Sequence, residues 1–142
     1  MVAGRDRVAI GGCLDGVPVR RVRDVVQRVL RGERRRVRVQ VTFLGRRQMR
    51  RLNATYLKHD RVTDVIAFAL PQPDGSVAGD VYVCRYAAAT QARAWGESVR
   101  RELLRLVTHG VLHVLGWDHP AGPARLRSPM WRRQERYLAG IA

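Results

Sequence analysis

The chain has 142 residues, 27 Lys+Arg against 12 Asp+Glu, a net charge of +15 and 46% hydrophobic residues. That length predicts a single domain, residues 1–142, able to bury roughly 70% of its unfolded surface without disulfide or metal staples. The longest apolar run, Val65 to Leu70, is far short of the roughly 20 residues a transmembrane helix needs, and the apolar content excludes a disordered basic tail.

In chain order, Val8 and Ile10 mark a short alternating strand over Arg7 to Gly11. Pro18 opens a helix that runs to Gly32, with Val22, Val25, Val26, Val29 and Leu30 forming one apolar stripe. Val37, Val39, Val41 and Phe43 then alternate with polar residues, the pattern of a half-buried strand. Gly45 starts a short helix with Met49, Leu52 and Tyr56 on one side. Val65 to Leu70 and Val81 to Cys84 read as two strands, joined as a hairpin through Pro71-Gln72-Pro73-Asp74-Gly75. Ala87 to Trp95 is helical up to Gly96. Glu97 to Leu115 is the most apolar helix and should be central, with Gly116 as its left-handed stop. Ser128-Pro129 caps a last helix whose inner face carries Met130, Gln134, Tyr137, Leu138 and Ile141. This order predicts an α+β fold: a small mixed four-stranded sheet with helices packed on it, the central buried helix carrying the histidines described below.

The charge is uneven. Residues 20–51 hold thirteen arginines against Asp24 and Glu33, whereas residues 52–99 are close to neutral. A field concentrated in one third of the chain favours a polyanionic partner, nucleic acid before membrane; an Arg-rich solvated surface from genome bias is the alternative. Cys13 and Cys84 fit no metal or redox spacing and read as small hydrophobes. Met1-Val2-Ala3-Gly4-Arg5-Asp6 carries no apolar signal core, so the expected compartment is the cytoplasm.

Three of the four histidines fall in His109-Gly110-Val111-Leu112-His113-Val114-Leu115-Gly116-Trp117-Asp118-His119. His109 and His113, four apart on a helix, project from one face. Gly116 turns the chain so that His119 can return to the same point. Three imidazoles with a fourth position left to water suit a catalytic Zn²⁺, one per chain. The spacing matches the metzincin frame HExxHxxGxxH except that Gly110 stands where that frame has its general-base Glu, which disfavours a protease. Asp118 either orients one of the rings or is exposed loop. Asp118 and Asp64 are the candidate catalytic carboxylates; Asp64 and Asp80 read equally well as turn residues bonding local backbone. Tyr56 and Trp117 either stack an unpaired base or simply pack.

The histidine block closely resembles the signature of the YbeY family, bacterial rRNA maturation factors described as zinc-dependent single-strand endoribonucleases. Leu52-Asn53-x-x-Tyr56 followed by Thr63-Asp64-Val65-Ile66-x-Phe68, then Gly79-Asp80-Val81-Tyr82-Val83, and Glu102-Leu103 resemble its other blocks in the same order. The resemblance implies His109, His113 and His119 as zinc ligands and an α+β fold with the metal at the end of a basic, RNA-admitting groove. It also implies work on the 3′ end of small-subunit rRNA, with a small-subunit ribosomal protein and a ribosome-associated GTPase as partners. The sequence departs from the family at Leu57, where many members have arginine; Lys58, His59 and Arg61 are the nearby candidates to contact phosphate. A non-catalytic rRNA-binding assembly factor with a structural zinc is the rival reading.

Overall fold

Alternation along the strands decides which residues meet the helices. In a computed structural model that describes residues 7–57 and 63–141, β1 spans Val8–Gly12, β2 Arg38–Leu44, β3 Val65–Pro71 and β4 Val77–Cys84. The order across the sheet is β1-β2-β4-β3. β1, β2 and β4 run parallel, and β3 pairs antiparallel with β4. Val39, Val41 and Phe43 of β2 and Val81 and Val83 of β4 point to one face and are buried there. The opposite face holds a smaller cluster, Met49, Ile66 and Cys84, flanked by Leu44, Phe68 and Tyr82.

The main face is covered by α1 (Val19–Gly32), α4 (Val99–Val114) and α5 (Pro129–Leu138). Each of Val22, Val25, Val26 and Val29 on α1 is fully buried, contributing about 1.5–3 kcal/mol per side chain relative to exposure. α2 (Arg46–Leu52) continues into a π-helical turn, Asn53–Leu57, and α3 (Arg85–Trp95) follows β4 directly. A 3₁₀ turn, Gly122–Arg127, leads into α5, whose cap Ser128 accepts from the Trp131 N–H.

The mixed four-stranded sheet and the central buried helix agree with the sequence reading; several boundaries do not, among them the last helix, which ends at Leu138 and leaves Ile141 beyond it. β4 begins at Val77 rather than Val81, because Ala78 and Gly79 look like loop by composition. Gly79 is nevertheless a strand residue that lets α4 approach: a Cβ there would meet Val114 Cγ1 at 2.6 Å. α4 begins at Val99, not Glu97, since Ser98 is the cap and accepts from the Arg101 N–H. α3 begins at Arg85, two residues early. Cys13 and Cys84 are both free thiols. Among the described residues no helix is long and apolar enough to cross a membrane.

Candidate metal centre

The centre is built at the end of α4. His109 and His113 lie one turn apart on its half-buried edge. Gly116 adopts φ 101°, a left-handed conformation that favours glycine, and reverses the chain. His119 then comes back over the other two. The three ring centroids are 4.6, 5.0 and 5.0 Å apart. One nitrogen from each ring can reach a common point, these atoms all lying within 4.8 Å of one another. His109 Nε2 and His119 Nε2 are 3.3 Å apart.

The outer nitrogens fix the tautomers of two of the rings. His113 Nδ1 is 2.9 Å from the Trp117 carbonyl and His119 Nδ1 is 2.8 Å from the Pro120 carbonyl. Carbonyls only accept, so both rings carry their proton on Nδ1 and leave Nε2 as a lone pair. His109 Nδ1 is 2.7 Å from Gln134 Oε1. A tetrahedral ion with metal–nitrogen bonds of about 2.1 Å places neighbouring ligand nitrogens about 3.4 Å apart. The donor set and spacing therefore fit a divalent metal with a fourth position open.

Burial favours the neutral form of His109 and His113. It pulls the His109 pKa down to about 4, against the opposing hydrogen bond to Gln134. It also lowers that of His113, against the Trp117 carbonyl. Neutral imidazoles bind a cation without first releasing a proton at pH 7.

A cavity of about 420 Å³ opens beside the triad, with Asp64, Gln91, Glu102, Arg105 and Gln134 in its wall. Asp64 Oδ1 accepts from the Val65 N–H at 2.7 Å and Oδ2 from Gln91 Nε2 at 3.0 Å. Asp64 thus bonds local backbone and lies in the wall of the cavity that the triad also lines. Asp118 is exposed and accepts from the His119 N–H at 2.8 Å. It orients no ring, because each Nδ1 already has another partner. Trp117 is not a stacking platform: its Nε1 donates to Glu33 at 2.8 Å and Arg133 covers its ring at 4.4 Å. Tyr56 is 60% exposed beside Phe68. Lys58, His59 and Arg61 lie outside the described residues.

Gly110 settles the comparison with the protease frame. It faces the sheet, where a Cβ would meet Val81 Cγ1 at 2.5 Å and Val65 Cγ2 at 3.2 Å. A glutamate at this position has no room and no line to the triad.

Two further residues shape the site that sequence reasoning left unassigned. Glu33, after α1, accepts from Trp117, Arg133 and Tyr137 and so ties the Gly116 turn to α1 and α5. Burial alone would raise its pKa, but the hydrogen bonds from Tyr137, Trp117 and Arg133 outweigh it and hold the carboxyl below the usual range. Gln134 is 0% exposed; its signal was a polar residue on an otherwise apolar helix face. The basic segment is also partly structural. Arg23, Arg28 and Arg35 donate to the carbonyls of Val8, of Tyr137 and Ala139, and of Leu115 respectively.

Residues 15–142 match the family described as Endoribonuclease YbeY. Curated relatives named Endoribonuclease YbeY from Staphylococcus aureus, strains JH9 and Newman, are each 44% identical over 89 residues. Those matches cover 56% of this chain and 57% of the relatives, so the chain spans little more than half the length of the curated relatives it matches. The solution structure of TM1509 from Thermotoga maritima is similar with a TM-score of 0.66 at 28% identity, covering 94% of this chain and 88% of that one.

Proposed function

Because the chain belongs to the Endoribonuclease YbeY family, we propose that it is a zinc-dependent endoribonuclease acting on single-stranded RNA. Its place would be in 16S rRNA 3′-end maturation and in ribosome biogenesis and quality control in the cytoplasm. The relatives' name supports the activity. The observation that carries the reading is the approach of His109 and His119 Nε2 to 3.3 Å, with the Nδ1 atoms of all three rings directed outward.

His109, His113 and His119 hold the metal. A divalent zinc bound there supplies Lewis-acid polarisation of a phosphoryl oxygen and a nucleophile at neutral pH. Asp64, in the cavity wall, is the carboxylate placed to accept a proton from the attacking group, which is water or the 2′-OH that RNA carries and DNA lacks. Gln91 orients that carboxylate through its amide. Exposed arginines of residues 20–51, together with Lys58, His59 and Arg61, neutralise backbone phosphates with little base readout. Tyr56 stacks an unpaired base.

Leu57, in place of the family's arginine, favours one second reading: an rRNA-binding assembly factor in which zinc is structural. Purified protein incubated with single-stranded RNA, with and without a chelator, separates the two. The endoribonuclease is expected to hold about one zinc per chain, to cut RNA only without chelator and to lose both properties in His113→Ala. RNA binding should weaken steeply with salt. A wild-type protein that binds zinc and RNA but cuts nothing supports the assembly factor instead.

A further inference from the structure

His113 and His119 are oriented by backbone carbonyls, but His109 is oriented by a side chain. A primary amide can offer a ring nitrogen either its oxygen or its NH₂, so the contact with Gln134 does not by itself choose the tautomer of His109. The next contact does. Gln134 Nε2 is 3.0 Å from Glu135 Oε2. A carboxylate paired with a guanidinium accepts, so the amide nitrogen must face Glu135 and the oxygen must face His109. Glu135 is itself gripped by Arg105, with Nε to Oε2 at 2.9 Å and Nη2 to Oε1 at 3.1 Å, two parallel charge-assisted bonds that fix its plane. Arg105 is locked from behind by Glu102 at 2.6 Å and Glu97 at 2.7 Å.

Resting on the metal reading of the triad, we propose that Gln134 is a positioning residue. The chain Arg105–Glu135–Gln134 holds His109 in the Nδ1–H tautomer, with the Nε2 lone pair aimed at the metal point. Arg105 and Gln134 both donate to Glu135, and Gln134 Oε1 faces His109 Nδ1, so reversing the amide would break two contacts at once. An Nε2–H ring would present a proton where the ion needs an electron pair. Gln134 is fully buried, and losing its acceptor leaves the buried side of the His109 ring without a partner. Outer partners of this kind commonly change metal affinity by about 10–100-fold.

The test has two readouts, both on the full chain. In metal-free wild type, long-range proton–nitrogen NMR correlations should show His109 protonated on Nδ1; protonation on Nε2 overturns the proposal. Zinc affinity is then measured by competition with a chromophoric chelator. Gln134→Met keeps the buried volume but removes the acceptor, and is expected to weaken zinc binding by about 10–100-fold. The same NMR experiment on Gln134→Met should show His109 no longer held on Nδ1. Equal zinc affinity in Gln134→Met and wild type, or an unchanged His109 tautomer in Gln134→Met, overturns the proposal. A wild type that binds no zinc overturns the metal reading instead, and the tautomer in the metal-free protein still decides the role of Gln134.

Discussion

One helix carries two polar clusters of opposite kind. Near the start of α4, Arg105 is almost completely buried and meets three carboxylates, Glu97, Glu102 and Glu135, at 2.6–2.9 Å. Near its end, His109 and His113 meet His119. In the first cluster, Arg105 donates to all three carboxylates within the protein, and Trp95 lies against the guanidinium at 5.3 Å. In the second, each Nδ1 is taken up by a protein partner, and the Nε2 atoms of His109 and His119 face one another. A closed network holds structure, because removing one member strands the others. An open one is complete only when something from outside joins it. The two share the wall of one cavity and are joined through Gln134.

The largest effect should come from breaking the closed cluster. Arg105→Met leaves three carboxylates in or near the interior without their cation, which costs about 3–5 kcal/mol. A urea melt should show this as a large fall in midpoint. His119→Ala in metal-free protein should shift the same midpoint by only about 0.5 kcal/mol, yet abolish zinc binding. If the two variants lose equal stability without metal, the distinction between closed and open clusters fails.

A smaller effect tests what keeps the clusters in register. Gly110 lies on α4 against Val81 and Val65, both stiff β-branched side chains. Gly110→Ala should cost about 1–2 kcal/mol, overpacking outweighing the gain in helix propensity. It should also weaken zinc binding by displacing His109 and His113 relative to His119. Unchanged stability and zinc affinity would mean that α4 adjusts freely on the sheet.

The two clusters also differ in how far the sequence revealed them. The triad was legible because it is almost local: a helical period puts His109 over His113, and Gly116 supplies the turn for His119. The strands were legible wherever valines alternate, and β4 was missed only where Ala78 and Gly79 replace them. The closed cluster was not legible. Glu102 and Arg105 sit at helical spacing, but Glu135 comes from α5 and nothing local to it marks the partnership. Gln134 and Glu33 were hidden for the same reason, since their partners lie 25 and 84 residues away. The charge count misled in part. It could not show that Arg23, Arg28 and Arg35 are bound to carbonyls and so are taken up in holding loops and helix ends rather than left free for phosphate.

The finest separation of the two clusters is by pH. In metal-free protein, burial holds the His109 pKa at about 4, against 6.5 for a free imidazole. Between those values the unfolded chain binds a proton that the folded chain refuses, so stability falls as pH drops through the window. From pH 7 to 5.5 the loss from this one ring is about 1 kcal/mol, and His113, also lowered, adds in the same direction. The closed cluster responds later. Glu97 is held low by its hydrogen bond to Arg105, so its contribution persists above the unfolded value near 4.5 and fades only as pH falls through its own lower pKa. Glu102 runs the other way, because burial raises its pKa and protonation relieves it. Thermal melts of chelated protein should therefore lose stability between pH 6.5 and 4.5, and the slope should be shallower in His109→Ala. On the proposed zinc reading, saturating zinc should stabilise the folded state by mass action, the ion binding the folded triad better than the unfolded chain. It should hold the melting temperature nearly flat down to the pH at which protons displace it from the imidazoles. An identical slope in His109→Ala would assign the acid sensitivity to the carboxylates and erase the difference between the two ends of α4.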